Sequence, residues 1–244
     1  MGKYLWPGLL TLLASNHAAA GLFSHSVSAQ DLDGIQRMAV HVRMGDTFHA
    51  RFIGTTVFNN KGFDAPVPQW AMDRYVADQV AEIMKLRGRF AAESLSVADL
   101  DLPSLYQKSG AILASKEVVA TLLDRGRQQG ADALLVVEMA PPSENAPFYP
   151  AGFGLMRRSA FGLTTGCAYA QFTVALFRVD SGKQIARQWA APCANSPEKF
   201  PQKASWDQYS AEEQAALEAA DKHEIIGKLT LAMQDFKFMK DMPP

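Results

Sequence analysis

The segment Ser115–Gly130 and the run that follows it, "ADALLVVEM" at 131–139, constrain the fold more than any other stretch. Val118, Val119, Leu122 and Leu123 fall on one helical stripe, and Gly130 stops it. The following run is apolar with scarcely any alternation, the pattern of a strand buried on both faces, which places Ala133 to Val137 in the middle of a sheet. A helix, a glycine and a doubly buried strand form the second half of a crossover unit. The chain is therefore expected to build an α/β fold (mixed α+β): one mixed sheet with some parallel pairing and with flanking helices. Its 244 residues can bury a full core in one domain without a metal or a disulfide.

Other segments fit that frame. "IQRMAVHVRMG" alternates Met38, Val40, Val42 and Met44 with Arg37, His41 and Arg43, the period of a half-buried strand. "ARFIGTTVFNNKG" is rich in β-branched and aromatic residues and closes on a turn, so it is expected to pair with the first strand. Met72, Val76, Val80 and Ile83 mark a helix that stops at Gly88, and a short strand follows in "RFAAESLSV". A hairpin turns at Asp180–Lys183. The carboxy-terminal amphipathic helix opens on Ser210 and Glu213 at capping-box spacing and carries Ile226, Leu229, Met233 and Phe236.

The first 29 residues have one charge, Lys3, an apolar run from Tyr4 to Ala14, and small residues ending at two cleavage positions, Ala20 and Ala29. This is the pattern of a secretory signal peptide. The expected organisation is a signal over 1–29 and a single α/β domain over 30–244, with Ala29 as the preferred boundary. No later stretch is long and apolar enough to serve as a transmembrane anchor, and no cysteine near either cleavage position offers a lipid attachment. The mature chain is expected to be periplasmic. Near-balanced charge, 24 Lys and Arg against 25 Asp and Glu, offers no broad basic surface to nucleic acid.

The order of elements, with "GADALLVVE" before a polar loop and "LFRVDSGKQIA" as a closing hairpin, resembles the amino-terminal domain of TolB. It is also similar to penicillin-binding-protein activators and the curli-secretion lipoprotein. The resemblance runs from Ile35 to Met239 and implies a domain that works in the cell envelope by binding other proteins, without catalysis. Two features depart from it: no cysteine is placed for lipidation, and no propeller repeat follows.

Chemistry-bearing motifs are fragmentary. "HEIIG" at His223 has Gly227 where a zinc-protease helix needs its second His; "DSGKQ" lacks the glycine and hydroxyl of a phosphate loop; "GFGLMR" lacks the third glycine of a dinucleotide fingerprint. No Gly-x-Ser-x-Gly elbow occurs. The expectation is no cofactor, no metal and no catalytic residue. The competing reading is a hydrolase-like periplasmic enzyme with His41, Asp46 and His49 converging in "HVRMGDTFH"; a small apolar ligand held between sheet and helices is a further alternative.

The segment 140–166 combines four prolines and four glycines with Phe148, Tyr149, Phe153, Phe161 and the pair Arg157–Arg158. Long loops of this composition often bind partners. Phe148, Tyr149, Phe153, Arg157 and Arg158 are therefore the candidate contacts for an envelope protein partner. The odd numbering of Phe153, Leu155, Phe161 and Leu163 also fits a strand whose one face covers the core. Finally, Cys167 and Cys193 flank the hairpin. A two-residue turn at Ser181–Gly182 would place them three positions apart on opposite faces, so a disulfide requires a break in regularity near Gly166 or Pro192. In an exported protein with two cysteines, pairing is the expectation.

Overall fold

The computed structural model describes residues 27–97, 99–105, 114–139, 152–160, 163–190 and 200–239. These form one mixed sheet of eight strands with four helices, as the crossover pattern predicts. In chain order the elements are α1 (Ala29–Leu32), β1 (Arg37–Arg43), β2 (Thr47–Ile53), β3 (Lys61–Pro66), α2 (Met72–Arg87) and β4 (Ala91–Ser94). Then come α3 (Lys116–Gln128), β5 (Ala133–Met139), β6 (Gly152–Ala160), β7 (Leu163–Arg178), β8 (Gln184–Ala190) and α4 (Ala211–Asp235).

The register reveals an unusual layout. β5 lies antiparallel to Phe172–Arg178 of β7, and β6 lies antiparallel to Leu163–Gln171 of the same strand. β1 pairs parallel with β5 and β2 parallel with β6. Only 44–46 join β1 to β2, a span of at most about 14 Å. Were β6 on the opposite edge of β7 from β5, that connection would have to cross four strand spacings, about 19 Å. So β5 and β6 lie end to end along one edge of β7, and β1 and β2 lie end to end beside them. β7 is the spine of two sheet halves. The first half is β4-β1-β5-β7 with β8 on the far edge of β7, and the second is β3-β2-β6-β7.

This arrangement corrects the expectation that the second strand pairs with the first. Met44, Gly45 and Asp46 form no hairpin turn. Gly45 takes φ +77°, and the Asp73 carboxylate, one residue into α2, accepts from the Met44 and Gly45 amides at 2.5 and 3.0 Å. Those bonds satisfy backbone donors that the interrupted ladder leaves behind. Met139 fills the same joint, with its Sδ 3.3 Å from where a Cβ on Gly152 would sit.

The front face carries the larger core. α2 and α4 pack on Met38, Val40, Leu135, Val137, Val174 and Leu176 of the first half, and continue over Phe48, Ala50, Phe153, Leu155 and Ala170 of the second. The back face carries a smaller core in which Val118, Leu122 and Leu123 of α3 meet Ala39, Leu134, Val136, Ala175 and Phe177, all from the first half. β1 is thus not half-buried: Ala39 and His41 are covered on one side as Met38 and Val40 are on the other.

Local signals fare well. Helix α3 ends as expected, at Gly130 with φ +71°. The Ser210–Glu213 capping box is present at the start of α4, where each side chain accepts from the other's amide. The buried stripe of that helix is Leu217, Asp221, Ile225, Leu229 and Met233, so Ile225 replaces the expected Ile226 in the core. Another capping box, Ser28 with Asp31, opens α1, and Val27 is 1% exposed within the front core. The preferred boundary at Ala29 therefore falls inside an ordered, packed element.

Candidate functional site

His41, Asp46 and His49 do not converge. His41 projects to the back face beside Val136, and burial, then the Arg43 charge, pull its pKa down to about 4. His49 lies on the same face eight residues further along collinear strands, on the order of 25 Å away. There its Nδ1 sits 2.8 Å from an Asp64 oxygen that also holds the Arg51 guanidinium at 2.6 Å. Burial lowers the His49 pKa against the opposing pull of Asp64; burial works upward on Asp64, but the His49 and Arg51 contacts outweigh it. Asp46 belongs to the joint, where its carbonyl accepts from the Val67 amide at 2.6 Å. No group of three potential metal ligands occurs among the described residues.

Two buried carboxyls escaped the sequence reading. Glu138 is 2% exposed on the back face, in register with Arg43 and Thr173. The Ser104 hydroxyl and the Leu105 amide, the latter at 2.8 Å, donate to it, while Arg43 donates to the Leu102 carbonyl at 2.7 Å. The pair pins the 102–105 connection onto the sheet, and burial raises the Glu138 pKa. Asp221 is fully buried beneath α4. Burial, then Glu224, push its pKa well up; the Gly154 amide favours its charge, but neither oxygen makes a well-formed hydrogen bond among the described residues. The available signal was a charge inside an apolar run for Glu138 and at the i+4 step between Leu217 and Ile225 for Asp221.

The conspicuous surface lies at the far end of the second half. β2 and β6 run parallel, so their carboxy-terminal ends lie side by side, tied by the Thr55 hydroxyl donating to the Ser159 carbonyl at 3.3 Å. Phe58 stands 91% exposed between β2 and β3, and Leu163 75% exposed at the start of β7. Neither 50–63 nor 152–165 contains an acidic residue, whereas they carry Arg51, Lys61, Arg157 and Arg158. Arg157 and Arg158 point to opposite faces: Arg157 shares the front row with Phe52, and Arg158 the back row with Ile53.

Among the candidate contacts, Phe153 is excluded. It is 0% exposed and stacks on Trp70 with ring centroids 5.8 Å apart, and Leu155 is 1% exposed, so the core-covering alternative holds at these two positions; Phe161 lies outside the described residues. Leu163 follows the same odd numbering but is exposed, because it lies beyond the end of the core. Phe148 and Tyr149 lie outside the described residues, as does Cys193; no free cysteine occurs among the described ones.

No protein-family model matches the chain, and no curated protein matches it in sequence. Several solved structures are similar in outline. The PelC dodecamer subunit from Paraburkholderia phytofirmans matches at 8% identity and a TM-score of 0.31, over 80% of this chain and 87% of that one. The LpoB C-terminal domain from Salmonella enterica matches at 12% identity and 0.28, over 66% and 88%. Protein XCC0632 from Xanthomonas campestris matches at 11% identity and 0.31, over 81% and 88%. At these scores the likenesses carry no argument about function.

Proposed function

We propose that this is an exported, non-enzymatic accessory or scaffold protein of the bacterial cell envelope, acting by protein binding in the manner of the TolB-like and penicillin-binding-protein-activator domains its element order resembles. The observation that carries the binding role is the exposure of Phe58 and Leu163 at one end of the sheet, in two segments, 50–63 and 152–165, that carry no acidic residue. Exposed apolar side chains beside arginines are what the centres of protein interfaces use. Arg158 extends this surface on the back face. Photo-crosslinking groups placed at 58 and 163 in the native host should each capture the same envelope protein, whereas a group at Leu86 on α2, also exposed, should not. Adducts that are the same from all three positions, or none from 58 and 163, would remove the role.

Export rests on the leader sequence. We place the cleavage at Ala20, because a cut after Ala29 would strip Val27 from the core and Ser28 from its capping box. Mass spectrometry of the mature amino terminus decides between the two.

A Cys167–Cys193 disulfide belongs to the same reading. The β7–β8 register pairs Thr173 with Trp189, one step from the regular hairpin expected, and shifts again between Leu176 and Phe177. That register departs from the regular two-residue-turn hairpin under which the two cysteines would face opposite sides of the sheet. The expected result is no thiol titratable in the denatured, unreduced periplasmic protein.

A further inference from the structure

Beyond the protein-binding surface, the second half of the sheet contains a cleft on its front face. The row Lys61–Phe52–Arg157–Gly166 runs across β3, β2, β6 and β7, with Phe52 the core aromatic on it. Phe52 floors the cleft; Lys61 and Arg157 flank that floor, and Thr55, Asn59, Thr164 and Gln202 supply hydroxyl and amide groups around it. Its volume is about 340 Å³, near the lower end of the roughly 300–1,000 Å³ typical of small-molecule sites. No carboxylate lines it among the described residues.

The position of Arg157 is built into the sheet. A Cβ on Gly166 would sit 3.0 Å from the Arg157 Cγ, so the absence of a side chain on β7 lets the arginine stem lie across that strand. From there Arg157 lines the cleft beside Phe52. The two cations suit an oxyanion, and the surrounding hydroxyls and amides, which both donate and accept, suit a polyhydroxylated body.

We propose that this cleft binds an anionic saccharide of monosaccharide to disaccharide size, with Lys61 and Arg157 facing its carboxylate or phosphate and the hydroxyl and amide groups facing its ring hydroxyls. The test titrates the full mature chain with glucuronate, glucose 6-phosphate, glucose and inorganic phosphate, following backbone amide shifts. Glucuronate or glucose 6-phosphate should bind with Kd of about 1 mM or tighter, shifting Lys61, Asn59 and Thr164. The tighter of the two identifies carboxylate or phosphate as the natural anion. Lys61→Ala, on an exposed edge-strand position, should weaken that binding by about tenfold, and Arg157→Gln should weaken it likewise. Inorganic phosphate binding as tightly as the sugar acids would overturn the saccharide assignment. Equal binding of glucose, indifference to Lys61→Ala, or no binding of either sugar acid would overturn the site. Phe58→Ser and Leu163→Ser, which break the proposed protein contact, should leave sugar affinity unchanged, so the two readings fail separately.

Discussion

β5 and β2 belong to the same sheet and are each seven residues long, yet they are buried differently. β5 is covered at six consecutive positions, whereas β2 alternates strictly between buried and partly buried. The cause is the reach of the back-face helix. α3 has 13 residues and is about 20 Å long, while the 16-residue β7 extends about 53 Å. One short helix covers the back of one half only. Behind β2 the chain instead places His49, Arg51 and Asp64, a polar row with its own ion pairs. The first half supplies a two-sided core, and the second offers surface chemistry and the exposed Phe58 and Leu163.

That contrast is open to direct attack. The largest effect is expected at Leu134, 0% exposed beneath α3. Leu134→Ala should cost about 2–5 kcal/mol in urea unfolding, from lost burial and the cavity left behind. A cost under about 1 kcal/mol would mean that the back of the first half is not a tight core. Next comes Gly154, with φ +151° and space for a Cβ only 2.0 Å from the His49 carbonyl. Gly154→Ala should cost about 3 kcal/mol, and amide exchange should accelerate along the β2–β6 seam before it does so along β1–β5. Uniform acceleration would show that the halves unfold as one.

Titration separates the regions further. His41 is held neutral, with its pKa lowered to about 4, so its unfolded form binds more protons between pH 6.5 and 4. Stability should fall as pH drops through that window, by at most about 3 kcal/mol. His41→Gln should flatten this slope. Asp221 has the opposite sign. Its folded pKa is raised, so its contribution is present below the unfolded value near 4 and is lost as pH rises toward the folded one. Asp221→Asn should reduce the decline on that side, and urea midpoints across pH 3–8 read both slopes. The smallest effect is expected at Arg51, on the back face of the second half: Arg51→Ala should cost about 1 kcal/mol or less, since its partner Asp64 is half exposed.

Much of the fold was legible because periodicity reports burial residue by residue. The apolar run 133–137, the stripes of α2 and α3 and the Ser210 capping box all stand where local pattern puts them. The candidate site was legible only in part. Arg157 and Arg158 do reach the surface end of the second half, but Phe153 is core, and Phe58, Lys61 and Leu163 went unremarked as surface groups because nothing in their neighbours shows that two distant strand ends lie side by side. The His-Asp cluster failed for a related reason. Closeness in sequence along extended strands is distance in space, and His49 found its acid on β3 instead.

By itself the sequence determined the three longer helices, the doubly buried strand and the mixed α/β class, and it carries no complete motif for a cofactor or nucleophile. These depend on local spacing, which a chain carries whatever its partners are. Only the tertiary structure decided that β1 and β2 run end to end, that Asp73 closes their joint, that Glu138 holds a loop, and which arginine faces the cleft. Each of those depends on which strands become neighbours. That choice is made by contacts between residues far apart in sequence, such as the seating of Met139 against Gly45 and of Phe48 beside Phe153.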